Sequence, residues 1–563
     1  MRASHLTIAG ALALAMFMAK DAPAWEATST HPGLTEQAAV TSKLHERLKR
    51  MFDAERGLYT PLTVPPPDAP ALFKVLRKLN PSQGYVPDGR GRLYAMGWLA
   101  AGSVVADTPR SFAINHFYDP TSKHGAVGHS YSLRTKWLAR IMGESLPHAT
   151  SNALEWITDK RNPMNLSGFW SQYEKAVRAG TPAERSRHLA GTLLAAGALL
   201  HVLEDMGSPS HVRNDIKAHL QRLGSPLDIG SRFERIAALS FGRLGVPGSQ
   251  ASTTARSLHA LISNPNHTGL ADVTARSWFS RFTLPRTIHI DHITIAGIVR
   301  LVAAHYKVKP AAITAKPAKG AKASVPRAMA IYLAITHTPA AYTKLAAAFG
   351  EKRRTPLLFA AAQIIEGARS DPALAEAVST LKGDISASVI GTRLDKSLRR
   401  AAPAPLPRLD LAAARQSRGA RLVDANGVCV ARYRLRGLTL SWALDDDCVA
   451  EQLRAILPQV VSYGAGALNW LFRGELTVRA QVGAVAVSAR GLGLGKGSME
   501  LFWDDNRGVR TRYATIAIRG GKAGAVLARG NRPPKTARRI TALFRGVDAK
   551  GNTLVATGTT KLR

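Results

Sequence analysis

Three residues near the middle of the chain, His201, Asp205 and His211, have types and spacing that suit metal chemistry. His201 and Asp205 are four apart, which on a helix stacks them one turn above the other on a single face. The Ala/Leu-rich run from Gly191 to Leu203 leads into them and reads as a buried helix. Gly207, Ser208 and Pro209 then break that helix, so the chain can turn back and bring His211 to the same place. Two imidazoles and a carboxylate converging at a helix end suit Zn²⁺, which takes nitrogen and oxygen ligands at about 2.0–2.2 Å. The same spacing also suits a plain hydrogen-bonded pair on one helix.

Other candidates lie upstream. Residues 1–24 have the plan of an export signal: Arg2 and His5 in a short basic region, an apolar stretch from Ile8 to Ala19, and the small-residue site Ala22-Pro23-Ala24. Cleavage there makes Trp25 the N-terminus, where a free α-amine and its own carbonyl can chelate a metal as a five-membered ring. His31 stands at the entry to a helix expected to run to about Met51. Asp107 ends an apolar run and precedes Thr108-Pro109, so it either caps the next turn or points into a site. His116 follows in the aromatic, Pro-punctuated segment Asn115-His116-Phe117-Tyr118-Asp119-Pro120. His124 and His129 have a Gly-rich setting that suits surface histidines.

These residues need elements to hold them. With 563 residues the chain is long enough for more than one domain. Helical periodicity recurs over Trp137–Trp156, Phe169–Ala179, Ala183–Leu203, the stretch after Gly230, Ala271–Phe279 and Val449–Phe472. Residues 307–327 form a Lys/Ala/Pro tract with six basic and no acidic residues, expected as a mobile surface loop. Residues 399–408, with three prolines, read as an extended linker. From Glu475 the period changes to two, in Leu476–Val482, Arg512–Ile518 and Thr553–Thr557, with turns between. The expected fold class is therefore mainly α: helical elements up to about residue 474, then a small C-terminal β-sandwich-like domain over 475–563.

The chain carries 76 Lys and Arg against 39 Asp and Glu, a net charge of +37, with a pI near 10.8. That excess favours anionic partners, a phospholipid surface or a nucleic acid, and no protein partner is expected. No stretch reads as transmembrane. The two cysteines, Cys429 and Cys448, form one disulfide if the protein is exported, or stay free thiols. A Gly-x-Ser-x-Gly elbow, a His-Glu-x-x-His pair and a Gly-rich phosphate loop are all missing, which leaves serine hydrolases, zincin-type proteases and nucleotide-binding folds without support.

Taken in order, these segments resemble the three-zinc phospholipase C family, which shares its helical fold with single-strand-specific nucleases. The resemblance covers roughly 25–474. It rests on His201-x3-Asp205-x5-His211, on Asn115 to Pro120 with Asp107 upstream, on Trp25 with His31, and on Leu457-Pro458 to Gly474 as a closing helix. It implies one zinc held by Asp107, His116, His201 and Asp205. A second would share Asp205 and take His31 with the α-amine and carbonyl of Trp25. A third would use His211 and Glu234. There the chain departs from the family pattern, which has a His four residues before that Glu where this chain has Gly230; His219 or Asp228 would have to substitute.

The implied activity is hydrolysis of a phosphodiester by a metal-activated water, with Asp107 orienting the water or accepting its proton. The leading expectation is an exported zinc phospholipase C that releases diglyceride and a phosphorylated head group. The alternatives are a nuclease on the same metal core and a catalytically weak protein that binds anionic surfaces by its charge.

Overall fold

The computed structural model describes residues 30–64, 87–131, 133, 136–137, 140, 146, 148–219, 232–240, 252–284, 288–289, 293–318, 320–398, 408–410, 420–424, 426–436, 439–481, 484–491, 493–519, 525–529 and 533–562. The chain divides into two compact units, residues 1–275 with 453–563, and residues 276–452.

The first unit is organised around the helix Pro182–Asp205. Its start is a capping box: the Thr181 hydroxyl accepts from the Glu184 amide, the Glu184 carboxylate returns to the Thr181 amide, and Pro182 takes the first turn. The C-terminal half is buried and packs along the helix Ala95–Val105. Two glycines set how close these helices come. A Cβ on Gly102 would stand 2.0 Å from the Leu194 carbonyl oxygen, and one on Gly197 would stand 1.9 Å from that of Leu99. Only glycine permits backbones to approach this closely. The helix Leu166–Arg178 also packs on the central helix.

The helix expected from His31 to Met51 is two, Thr30–Thr41 and Leu44–Phe52. The break falls at Ser42, whose hydroxyl accepts the Leu44 amide at 3.1 Å. Strands β1 (Pro61–Thr63) and β2 (Arg92–Tyr94) pair antiparallel. The helix expected over Trp137–Trp156 is replaced at its end by the single turn Ala153–Trp156, capped by Asn152. Asn115 Oδ1 draws the Thr150 and Ser151 amides at 2.8 and 3.2 Å, which removes them from any helical ladder.

The second unit departs most from expectation. It holds helices Ile295–His305, Pro310–Thr314, Val325–His337, Tyr342–Ala348, Thr355–Ser370 and Pro372–Leu398. It also holds an antiparallel five-stranded sheet inside the span expected to be wholly helical: β3 (Ile288–His289), β4 (Arg408–Asp410), β5 (Ala420–Val423), β6 (Cys429–Arg436) and β7 (Thr439–Ala443), in the order β3-β7-β6-β5-β4. The turn between β5 and β6 uses Gly427 at φ 80°, a conformation favouring glycine. A disulfide joins Cys429 to Cys448, tying β6 to the start of the helix Asp446–Leu471.

The tract 307–327 is not a structureless loop either. Arg327 is buried at its end and donates to the carbonyls of Ile313, Thr314, Ala315 and Phe349, with Glu351 2.9 Å away. One guanidinium thus satisfies several helix-terminal carbonyls that would otherwise lack donors. Of the linker 399–408, residues 399–407 lie outside the described residues and Arg408 opens β4.

The C-terminal region, in the first unit, is β-rich as expected. Strands β8 (Leu476–Gln481), β9 (Ala484–Ala489) and β12 (Ala525–Arg529) form one sheet, in the order β12-β9-β8. Strands β10 (Leu494–Asp504), β11 (Arg510–Arg519), β13 (Arg539–Asp548) and β14 (Thr553–Lys561) form another, in the order β11-β10-β13-β14. Leu476, Val485 and Val487 of the first share one core with Met499, Leu501 and Phe544 of the second. Ion pairs tie this region to the helices, among them Arg178–Glu500 at 2.7 Å and Arg539–Asp53.

Candidate metal centre

The close approach at Gly102 and Gly197 has a direct consequence at the end of the central helix. It brings the Ser103 carbonyl to 2.6 Å from His201 Nδ1. A carbonyl only accepts, so Nδ1 carries a hydrogen and Nε2 is the ring atom available to a metal. That Nε2 stands 3.3 Å from Asp107 Oδ1 and 3.3 Å from Asp205 Oδ2. Asp107 lies two residues past the helix Ala95–Val105, so it points into a site rather than merely capping the next turn. His116 ends the short 3₁₀ helix Arg110–His116, with Nδ1 3.0 Å from Asp205 Oδ2 and 3.3 Å from Asp107 Oδ1. His31 enters from the Thr30–Thr41 helix. Its Nε2 is 3.4 Å from Asp205 Oδ1, its Nδ1 donates to Glu204 Oε2 at 2.6 Å, and its ring stacks on that of His201 with centroids 3.7 Å apart.

The break after Met206 returns the chain as the spacing predicts. The short helix Pro209–Val212 places His211 Nε2 4.0 Å from Asp205 Oδ1 and 3.8 Å from Glu234 Oε1. The Ser208 and Ser210 hydroxyls donate to the same Glu234 oxygen at 3.2 and 3.3 Å, and the His211 ring stacks on Phe117. Seven of the eight expected ligand residues, Asp205 among them, are thus gathered in one cluster. The eighth, Trp25, lies outside the described residues, as do Asp228, Gly230 and the side chain of His219.

Two groups among the described residues could hold a metal ion: His31, His201 and Asp205, and Asp107, His116 and His201. The donor set fits the borderline-soft zinc ion. Each of His31 and His201 turns one ring nitrogen to a carboxylate or carbonyl and the other inward, the arrangement that orients metal-bound imidazoles. The inward atoms His31 Nε2, His201 Nε2, Asp205 Oδ1 and both Asp107 oxygens are buried with no hydrogen-bond partner among the described residues. Buried polar atoms are ordinarily satisfied, and a shared cation would satisfy all of these.

The electrostatics call for positive charge in the same place. Burial opposes charge on the His201 imidazole, yet Asp107 and Asp205 outweigh it and hold its pKa well above the ordinary histidine value. Burial and His201 both lower the pKa of His31, and Asp205 and Glu204 raise it to a net upward shift. Burial pushes the Asp205 carboxyl up, but His211 and His201 take it well below the ordinary aspartate value. Asp107 is likewise lowered on balance, by His201 and His116 against burial.

Comparisons with known proteins add little to this geometry. Residues 295–364, in the second unit, match the family model described as "Bacterial dnaA protein helix-turn-helix". The crystal structure of Clostridium perfringens alpha-toxin from an avian strain is similar at 10% identity and a TM-score of 0.23, over 96% of this chain and 99% of that chain. So loose an overlap carries no argument about fold or activity. No curated protein sequence matches the chain.

Several residues that build the centre were not singled out from sequence. Glu204 holds His31 with one oxygen and accepts from the Thr35 hydroxyl at 2.7 Å with the other. A charged residue closing an apolar helix beside Asp205 was a readable signal, because carboxylates are seldom fully buried without a partner. The Ser103 carbonyl carried no signal, since any residue offers one.

Proposed function

We propose that the chain is an exported zinc-dependent phosphodiester hydrolase, and more specifically a phospholipase C that cleaves phospholipid to diglyceride and a phosphorylated head group. The observation that carries this reading is the meeting of His31, Asp107, His116, His201, Asp205, His211 and Glu234 in one buried cluster. Asp107, His116, His201 and Asp205 would hold one ion. Asp205 and His31, with the amine and carbonyl of Trp25, would hold a second, and His211 with Glu234 a third. Bound zinc would supply charge for the phosphoryl oxygens and a water acidic enough to attack at neutral pH.

The chain's own residues have separable tasks. Asp107 turns both carboxylate oxygens into the cluster, with Oδ1 3.3 Å from His201 Nε2, so it would orient the attacking water and take its proton at a carboxylate oxygen. Glu204 and the Ser103 carbonyl hold the imidazoles of His31 and His201 in the required tautomer. The excess positive charge of the chain supports an anionic partner at a membrane surface. The Cys429–Cys448 disulfide supports an oxidising compartment reached after cleavage before Trp25.

A second reading, a nuclease on the same metal core, takes its support from the helix-turn-helix match at residues 295–364. The test uses mature protein starting at Trp25, with phosphatidylcholine vesicles or single-stranded DNA as substrate, with zinc and with excess chelator. Zinc-dependent release of phosphorylated head group, lost in His201→Ala together with bound zinc, is the expected result. DNA cleavage without head-group release would turn the assignment to the nuclease. Neither activity and no bound metal would leave a protein that binds anionic surfaces.

A further inference from the structure

The second unit carries a surface that the metal centre does not use. Between residues 295 and 364 there are eleven Lys and Arg and a single acidic residue, Glu351, and Glu351 is paired with the buried Arg327 at 2.9 Å. The remaining positive charge is therefore uncompensated within the segment. Lys307, Lys309, Lys344, Lys352, Arg353 and Arg354 are exposed, three of them immediately before the helix Thr355–Ser370.

That helix is apolar on both sides. Leu357, Ala360, Ala361 and Ile364 face the unit's interior and anchor it. On the opposite face Phe359 is 73%, Ile365 47% and Leu358 40% exposed, with Ala362 between them at helical spacing. The side chain of Gln363 donates to the Ala323 carbonyl at 3.3 Å, which sets the exposed Lys322 and Val325 beside the same helix. Large apolar side chains left in water in a group mark an interaction surface. A basic cluster next to them selects its partner by charge.

We propose that this face docks the protein on a bilayer containing anionic phospholipid. The helix would lie in the interface plane, with Leu358, Phe359 and Ile365 at the acyl boundary and Lys352 and Arg353 on head-group phosphates. The helix-turn-helix match raises duplex DNA as a rival, and the composition of the face decides between them. Base edges are read by hydrogen-bonding side chains, whereas the exposed face presents Leu358, Phe359, Ala362 and Ile365. The exposed Glu366 on the same face opposes the phosphates of either partner alike and does not choose between them. The docking goes beyond the chemistry of the metal centre and does not depend on it.

The test is sedimentation of the full chain with vesicles of phosphatidylcholine alone, or of equal parts phosphatidylcholine and phosphatidylglycerol, in chelator so that hydrolysis plays no part. Binding to the mixed vesicles and not to the neutral ones, weakened by salt, is expected. Leu358→Ser with Phe359→Ser should lower partitioning roughly tenfold or more, the effect of losing the burial of one large apolar side chain. Lys352→Glu with Arg353→Glu should abolish the preference for anionic vesicles. Both pairs lie on the surface, and an unchanged urea midpoint for residues 276–452 shows that the variants fold. Vesicle binding that ignores both pairs would overturn the proposal. So would duplex DNA binding that survives Leu358→Ser and Phe359→Ser in a protein that ignores vesicles.

Discussion

The end of the Pro182–Asp205 helix and the outer face of the Thr355–Ser370 helix deal with charge in opposite ways. At the first, imidazoles and carboxylates are withdrawn from water and each is held by a named neighbour, as His31 is by Glu204 and His201 by the Ser103 carbonyl. At the second, cations stay in solvent beside exposed apolar side chains. A buried charged cluster costs several kcal/mol per ion unless its geometry is tightly specified, so it constrains residue types and spacings. An exposed basic face requires only net sign and amphipathic spacing. One can therefore be broken by a single atom, while the other changes by degrees.

The largest effect should come from the second unit's covalent tie. Replacing Cys429 and Cys448 by Ser opens a loop of sequence separation 19, and should lower the stability of residues 276–452 by about 3 kcal/mol. Every described ligand of the metal centre lies in the first unit, so zinc affinity should not change. Urea unfolding followed by limited proteolysis, beside a zinc competition assay, checks both halves. Zinc affinity falling along with stability would mean that the two regions are not separable as described.

Glu204→Gln sharpens the contrast from the other side. It keeps the shape and most of the volume but removes the charge that orients His31. Partners of this kind typically alter metal affinity by about 10- to 100-fold, and a loss in that range is expected in a competition titration with a chromophoric chelator. Charge removal on the exposed face, by contrast, should leave zinc affinity untouched. Unchanged affinity in Glu204→Gln would reduce Glu204 to a packing role.

The same contrast explains what could be read in advance. His201, Asp205 and His211 were legible because helical period and a Gly-Ser-Pro break convert spacing into position. Asp107 was legible only as an alternative between cap and ligand, since the deciding partner, His201 Nε2, is ninety-four residues away along the chain. The β4–β7 strands were missed although β6 alternates buried Ala431 and Tyr433 with more exposed Arg432 and Arg434. Short strands flanked by long helices give few periods to count. The tract 307–327 has the composition of a loop, and what orders it is one arginine reaching carbonyls twelve to twenty-two residues away. Composition cannot show such a contact.

One expected effect is absent at neutral pH and concerns a buried histidine with no ligand role. His337 ends the helix Val325–His337, and neither ring nitrogen has a hydrogen-bond partner among the described residues. Burial, and then Lys382, lower its pKa from 6.5 to about 4. The folded unit thus holds the neutral ring where the unfolded chain would take a proton. Its contribution to stability is complete above pH 6.5, declines as pH falls from there toward about 4, and is constant below. His337→Leu keeps the site apolar and removes the titrating group, so the pH dependence of urea midpoints for residues 276–452 should flatten over that interval. His201 and His31 behave oppositely, because Asp107, Asp205 and Glu204 favour their charged rings. A slope that persists in His337→Leu would mean that the acid sensitivity of the second unit has another source.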